Sequence, residues 1–400
     1  MAHAVSVFLV FKAATAFLFY TAFTISAIYR IRMADLDPLQ LVLVGTVLEA
    51  AVFLFEIPTG IVADTYSRRL SVILGCVVMG AGFILEGSVP TFAAILLAQA
   101  VWGAGYTLIS GAEDAWLADE IGEDGLQPIY LRGTQAEQAA SFVGVFASVA
   151  LASWRLNLPI VLTGAGFLAL ALYLGLAMPE TGFQPAPQEE RASWRGLRQT
   201  FASGLASIRA RSLLMRAMAI MLFAGLASEG VDRLWEAHLL AGFTFPSLGG
   251  LDAVVWFGII NAGAMALTLA VTELLKRRAG GFDPRRAVAL LTAQYVLIIL
   301  GLLTFALSRS FAVAVAAFTA VYVLRHSGRP IFMAWINRGI EPKVRATVLS
   351  TLNQMDAFGQ VAGGPGIGAV ANRWGLRTAL VVVAALLTPV VGLYRRARRR

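Results

Sequence analysis

The sequence predicts an all-α membrane protein: twelve transmembrane helices arranged as two pseudo-symmetric six-helix bundles. Three observations lead there. Of 400 residues, 58% are hydrophobic and only 14% charged, with a mean hydropathy of +0.73, whereas a soluble globular chain carries roughly 25% charged residues. Apolar stretches of about 20 residues, the length that crosses a bilayer, recur along the whole chain. The longest gap between them, 179–213, leaves six spans on either side. The predicted organisation is an N-terminal bundle over 1–178, a linker over 179–213 and a C-terminal bundle over 214–400.

Taken in order, the first span covers 5–30. It starts almost at Met1 without a small-residue cleavage site, so no cleavable signal peptide is expected. Lys12 lies close enough to the inner end to snorkel. The second span, 39–63, carries Glu49 near its middle and Glu56 two turns on. The third and fourth are 70–88 and 91–118. The fourth ends in "GAEDAWLADE", which sets Glu113, Asp114, Asp119 and Glu120 near one face of the membrane. The fifth and sixth are 128–152 and 157–178.

The linker contains "SWRGLRQTFASGLASIRARS". Trp194, Leu197, Phe201, Leu205 and Ile208 recur at helical spacing between arginines. This reads either as a basic amphipathic helix on the inner leaflet or as a solvated linker helix.

The seventh span, 214–241, contains "ASEGVDRLWEAHLL". At about 100° per residue, Glu229, Asp232, Arg233 and Glu236 fall on one stripe, while Val231, Leu234 and Trp235 point elsewhere. Glu229 and Arg233 are an attractive i,i+4 pair, Asp232 and Glu236 a repulsive one. Carboxylates crowded in this way hold a proton more readily, as a proton-coupling site requires. Depth divides the stripe: Glu229 and Asp232 are the coupling candidates, Arg233 and Glu236 belong to an outer gate. A structural charge network at that gate is the competing reading.

The remaining spans are 251–275, 286–307, 311–335, 346–371 and 376–394. The tenth carries Arg325, His326 and Arg329, and the eleventh Asp356. A charge at the bilayer centre costs roughly 2.5–3.5 kcal/mol on insertion scales, so Glu49, Glu113, Arg325 and Asp356 are assigned to a central cavity. Arg325 with Asp356 is the expected pair, as a structural bridge or a substrate contact. "GQVAGGPGIG" in the eleventh span places Gly359, Gly363, Gly364, Pro365 and Gly368 in a seam where helices can approach closely, with a proline that removes a backbone donor.

With the N-terminus in the cytoplasm, inner segments collect most of the arginines and lysines, among them Arg68, Arg69, Arg132, Arg191, Arg209, Arg285, Arg338, Lys343 and the terminal arginines. Outer loops keep few, so the positive-inside rule sets both termini inside and accounts for the net charge of +8 without nucleic acid. "RRLSVILG" and "RRAVALLT", "AEQAASF" and "LNQMDAF", and the two Ser-Gly pairs at 110 and 327 align at a shared offset of 216 or 217 residues. A shared offset is the mark of a duplicated six-helix unit.

After the second span comes "GIVADTYSRRLSV", in which Gly60, Asp64, Arg68 and Arg69 fit G-x-x-x-D-x-x-x-R-R. This resembles the signature of the major facilitator superfamily, with Thr65 and Ser67 departing from its basic residue and glycine. The resemblance covers the whole chain. It implies the fold of that superfamily, alternating access, and a gate motif of Gly60, Asp64, Arg68 and Arg69 joined by Asp114 or Asp119. "FEIPTGIVAD", "SGAEDAWLADE", "SEGVDRLWEAHLL" and "NQMDAFGQVAGGPGIGA" look like its drug or metabolite efflux branch.

One cysteine, Cys76, excludes an intrachain disulfide. His3, His238 and His326 lie far apart, and no metal site is expected. There is no Walker loop, no nucleotide-fold or hydrolytic motif and no pore-loop filter, so an enzyme, a cofactor and a channel are not expected. The expected partners are a small-molecule substrate, protons and the bilayer of a bacterial inner membrane, for a monomer. The expected activity is proton-coupled efflux of a small amphipathic compound. Uptake or facilitated diffusion of a metabolite, or a transport-dead receptor or scaffold, are the alternatives.

Overall fold

The computed structural model describes residues 2–122, 125–185, 194–209, 211–246, 253–278, 284–337, 340 and 345–398. Of the predicted inner-face cations, Arg191, Arg338, Lys343, Arg399 and Arg400 lie outside the described residues, as do the side chains of Trp194, Leu197 and Phe201.

Among the described residues fifteen helices follow in order: α1 (Ala2–Arg32), α2 (Pro38–Thr65), α3 (Arg68–Ser88), α4 (Phe92–Ile109), α5 (Ala112–Ile121), α6 (Leu126–Trp154), α7 (Leu158–Ala177), α8 (Trp194–Arg209), α9 (Ser212–Gly242), α10 (Ala253–Arg278), α11 (Pro284–Leu307), α12 (Phe311–Asn337), α13 (Arg345–Trp374), α14 (Leu376–Leu386) and α15 (Thr388–Arg398). No strand occurs among the described residues. An all-helical chain follows from the solvent: in lipid every backbone donor and acceptor must be satisfied within its own segment.

Eleven helical stretches among the described residues are long and apolar enough to cross a membrane. The predicted span 346–371 forms α13, which at 30 residues is long enough but falls outside that set. Its amides, Asp356 and run of glycines dilute the apolar content that twelve equal spans would need.

Two predicted spans are broken. The fourth divides at Ser110–Gly111, because Gly111 adopts a φ of +79°, a left-handed conformation that only glycine enters without cost. The chain then restarts as α5 with Glu113 and Asp114 in its first turn, where carboxylates complement the positive end of the helix dipole. The twelfth breaks at Leu387 into α14 and α15.

The chain forms two compact units, residues 1–36 with 47–196, and residues 37–46 with 197–400. In the first, α1 packs against α6 and α7, and α3 lies against α4 and α7. Phe19, Phe83, Trp102 and Phe167 meet at ring-centroid distances of 5.4–6.2 Å. In the second, α9 packs along α13, and α11 against α12, α14 and α15. Its core joins Leu214, Leu291, Trp335 and Tyr394. Ile208 of α8 is buried in that core, so the C-terminal end of the predicted amphipathic helix rests on protein rather than on lipid.

The α9–α13 contact rests on small residues. A Cβ on Gly359 or Gly363 would strike the backbone of Leu222 or Leu226, and one on Gly225 would strike the backbone of Asp356. Glycines on both helices therefore set the close approach. Gly364 and Gly368 face Val42 and Leu39 of the 37–46 segment, whose Leu39 N–H donates to Asn372 at 3.0 Å. Pro365 sits inside α13, which continues past it to Trp374.

Candidate functional site

The charged stripe of α9 divides, but not as depth alone predicts. Asp232 accepts two hydrogen bonds from Arg325 of α12, at 2.5 and 2.9 Å, the two-pronged geometry that a planar guanidinium offers a carboxylate. Arg325 is therefore the partner of Asp232, not of Asp356 as expected. Asp356 on α13 accepts instead from Gln360, one turn on, at 2.9 Å. The reason is helix adjacency: α12 packs directly on α9, which puts the fork of Arg325 at the Asp232 position. Arg233 pairs with Glu229 at 3.2 Å, so these two belong together instead of falling to separate sites. Glu229 is only 3% exposed, and both side chains lie against Gly45, which has no side chain to displace them. Glu236 is buried one turn further along α9.

Asp232 and Arg325 line a cavity of about 480 Å³ inside the second unit, within the range of small-molecule sites, and with them stand His326, Arg329, Asp356 and Tyr295. A smaller cavity of about 230 Å³ shares Asp232, Gln294, Tyr295, Arg325 and Asp356, so the ion pair stands where the two meet. Both partners remain open to it, with 48% of the Asp232 side chain and 26% of the Arg325 side chain accessible. Gln294 donates to the Leu324 carbonyl at 2.6 Å by lying across Gly328, where any Cβ would overlap its amide. The His326 ring stacks on Tyr322 at 4.0 Å, and its Nδ1 lies 2.8 Å from the Tyr322 carbonyl. Trp235, which leaves the charged stripe, stacks on Phe318 at 4.1 Å.

Of the other residues assigned to a central cavity, Glu113 stands in the first unit. It accepts from Lys12 at 3.1 Å, and Lys12 also meets Glu137 at 2.9 Å. Lys12 thus does not simply snorkel; it is held between two carboxylates. Glu49 is half-buried on the part of α2 that belongs to the first unit.

Around the signature, Arg68 forms its ion pair with Asp119 and donates to the Ala115 carbonyl at 2.7 Å. Asp119, not the exposed Asp114, is the acidic partner. Asp64 and Gly60 are half-buried on the last turns of α2; among the described residues the ion pair of Arg68 goes to Asp119 and not to Asp64. Arg69 reaches the Gly175 carbonyl at 2.5 Å. Ser67, where the signature has glycine, caps α3 by accepting from Leu70 N–H at 2.8 Å and donates to Glu180 at 2.6 Å. Glu180 also accepts from Arg69 N–H at 2.9 Å. A serine cap with an acidic partner in the segment after α7 takes over the turn that glycine would otherwise make.

Sequence reasoning did not single out several of these groups. Glu137, Glu180, Gln294 and Tyr295 are among them, together with a buried network in the first unit. There Glu86, 1% exposed, accepts from Arg30 at 2.7 and 2.9 Å and from Gln99 at 2.8 Å. Gln99 in turn accepts from Trp102 at 3.0 Å. Arg30 is itself buried, 3% exposed. Glu86 and Glu137 both carried a signal, since each is an acid inside an apolar span. Gln294 and Tyr295 carried none, because neutral polar residues are common in such helices.

Residues 9–364 match the family model described as the Major Facilitator Superfamily. A protein of Bacillus subtilis (strain 168), the uncharacterized MFS-type transporter YxaM, is 25% identical over 365 residues, covering 89% of this chain and 87% of that protein. Among solved structures, a mutant of the nucleoside transporter NupG superposes with a TM-score of 0.81 at 14% identity, covering 99% of this chain and 100% of its own. A bacterial homologue of the human lysosomal transporter Spinster, in an inward-facing, unoccupied conformation, gives 0.78 at 14% identity, with coverage of 100% and 97%. A POT family transporter in complex with a thioalcohol-conjugated peptide gives 0.74 at 13% identity, with coverage of 99% and 96%. At these identities the structures speak to the fold alone. The apolar helices, the signature between α2 and α3 and the family match together make this chain a multi-pass membrane transporter of the Major Facilitator Superfamily, not an enzyme.

Proposed function

We propose that the chain is a proton-coupled secondary active transporter that exports a small molecule, and that the Asp232–Arg325 pair is where proton and substrate compete. The observation that carries this reading is the two-pronged pair standing in the wall of the 480 Å³ cavity. Removing one partner leaves the other charge uncompensated in the cavity wall. Arg325 therefore gives up the Asp232 carboxylate only to something that takes the guanidinium's place on it: a proton, or a cationic or hydrogen-bond-donating group of the substrate, and the two exclude one another at the same oxygens. That exchange links a proton to a substrate in one step. Glu229, held by Arg233 one turn away, is the second carboxylate of the relay.

In this proposal the two units are six-helix halves that alternate access in the inner membrane with both termini in the cytoplasm. Arg68, Asp119, Gly60 and Asp64 gate the inner side, and Glu236 lies at the outer side. Export follows from the efflux-like motifs of the sequence. Uptake of a polar metabolite is the second reading, favoured by a cavity lining with two guanidinium groups, two carboxylates and three tyrosines.

The test is a compound panel assayed in an efflux-deficient bacterial host that expresses the chain. Raised resistance to a panel member that disappears with an uncoupler supports proton-driven export. Accumulation of a polar panel member in cells selects uptake. Resistance that survives the uncoupler contradicts coupling.

A further inference from the structure

A second charge cluster lies in the first unit and is not used by the site above. Lys12 on α1, Glu113 on α5 and Glu137 on α6 meet with Nζ–O distances of 3.1 and 2.9 Å. One ammonium between two carboxylates leaves one negative charge uncompensated within an apolar bundle, where unpaired charge is costly. The imbalance has a location. Glu113 Oε1 takes the ammonium, while Glu113 Oε2 is buried and accepts no hydrogen bond. The Thr15 hydroxyl, one turn along α1 from Lys12 and on the same face, is also buried without a partner. Glu137 is the more open carboxylate, its side chain 36% accessible against 16% for Glu113. The other charged and titratable groups facing the cluster are Asp114 on α5, Tyr20 on α1, Tyr130 on α6 and Cys76 on α3.

We propose that this triad is a proton-binding site of the N-terminal unit, with one exchangeable proton carried by Glu113. With the proton on Oε2, Lys12 and Glu137 balance and the cluster is neutral. When it leaves, the Glu113 carboxylate and Glu137 share the Lys12 ammonium and the cluster holds one negative charge. No bond other than O–H forms or breaks. Glu137, the more accessible carboxylate, is the route by which the proton arrives. The break at Gly111 makes the site, because restarting the helix at Ala112 puts Glu113 in the first turn of α5.

The site is tested without a substrate, by pH-difference infrared spectroscopy of the purified full-length protein in lipid nanodiscs. The expected result is a titrating carbonyl-stretch band of a protonated carboxyl that disappears in Glu113→Gln. It moves in frequency in Glu113→Asp, keeps its frequency in Glu137→Asp and persists in Asp232→Asn. Should Glu113→Gln fail to fold, the Glu113→Asp shift carries the test. A band unmoved by Glu113→Asp, or lost in Asp232→Asn, overturns the proposal. Because Asp232 is read separately, this outcome is independent of whether the C-terminal pair couples transport.

Discussion

At Asp232 a single carboxylate faces the fork of Arg325, and the account of transport depends on that contact. Asp232→Asn keeps the shape and removes the charge that holds the guanidinium. Proton-driven flux is expected to fall at least tenfold while the protein still elutes as a folded species from a sizing column; flux within twofold of wild type removes Asp232 from the coupling site. Glu86 offers a contrast at the same scale. It is buried with Arg30, and Glu86→Gln leaves that guanidinium without its counter-charge, at about 3–5 kcal/mol. A clear drop in the melting temperature in detergent is expected, and an unchanged one contradicts a structural role. The sequence made the carboxylates visible, since any acid in an apolar span stands out. It did not reveal their partners. Arg325 could pair with Asp232 or Asp356 by depth alone, and only the adjacency of α12 to α9 decides. Lys12 seemed able to reach the inner surface because its two carboxylates come from helices 101 and 125 residues away.

Among the helices, the α9–α13 contact depends on glycine facing backbone. Gly363→Leu would drive a branched side chain into the Leu226 backbone, and overpacking of this kind costs about 1–3 kcal/mol. Lower thermal stability and slower transport are expected, measured by melting in detergent and by initial rates. Gly366→Leu, at a position with open space, serves as the control and is expected to differ little from wild type in melting temperature. The glycine run was readable as a seam, because its spacing puts several small residues on one helix. That Gly225 answers it from α9 was not readable, because an isolated glycine has no pattern. Helix positions were legible to within a few residues from apolar length, which is the property the bilayer enforces. The break at Gly111 was not, because the hydropathy continues across it and only a backbone dihedral ends α4.

Over the whole molecule, the basic residues cluster in the segments assigned to the inner side, and that bias fixes the proposed orientation. Cysteine substitution at Ser308, between α11 and α12, is expected to be labelled by a membrane-impermeant thiol reagent added outside intact cells; labelling only after the cells are opened reverses the topology. Native Cys76 is buried and does not interfere. The long gap between spans was legible in the sequence. The assignment of residues 37–46 to the second unit was not, since nothing in their composition separates them from the rest of α2. The central claim is that a proton and a substrate exchange at the Asp232–Arg325 pair. The most direct measurement follows substrate-induced proton movement in everted membrane vesicles that contain the wild-type or Asp232→Asn protein, using the panel compound selected by the resistance screen. Proton efflux from the vesicles on adding that compound to the wild type, and none with Asp232→Asn, is the result predicted. Equal proton movement in both would contradict it.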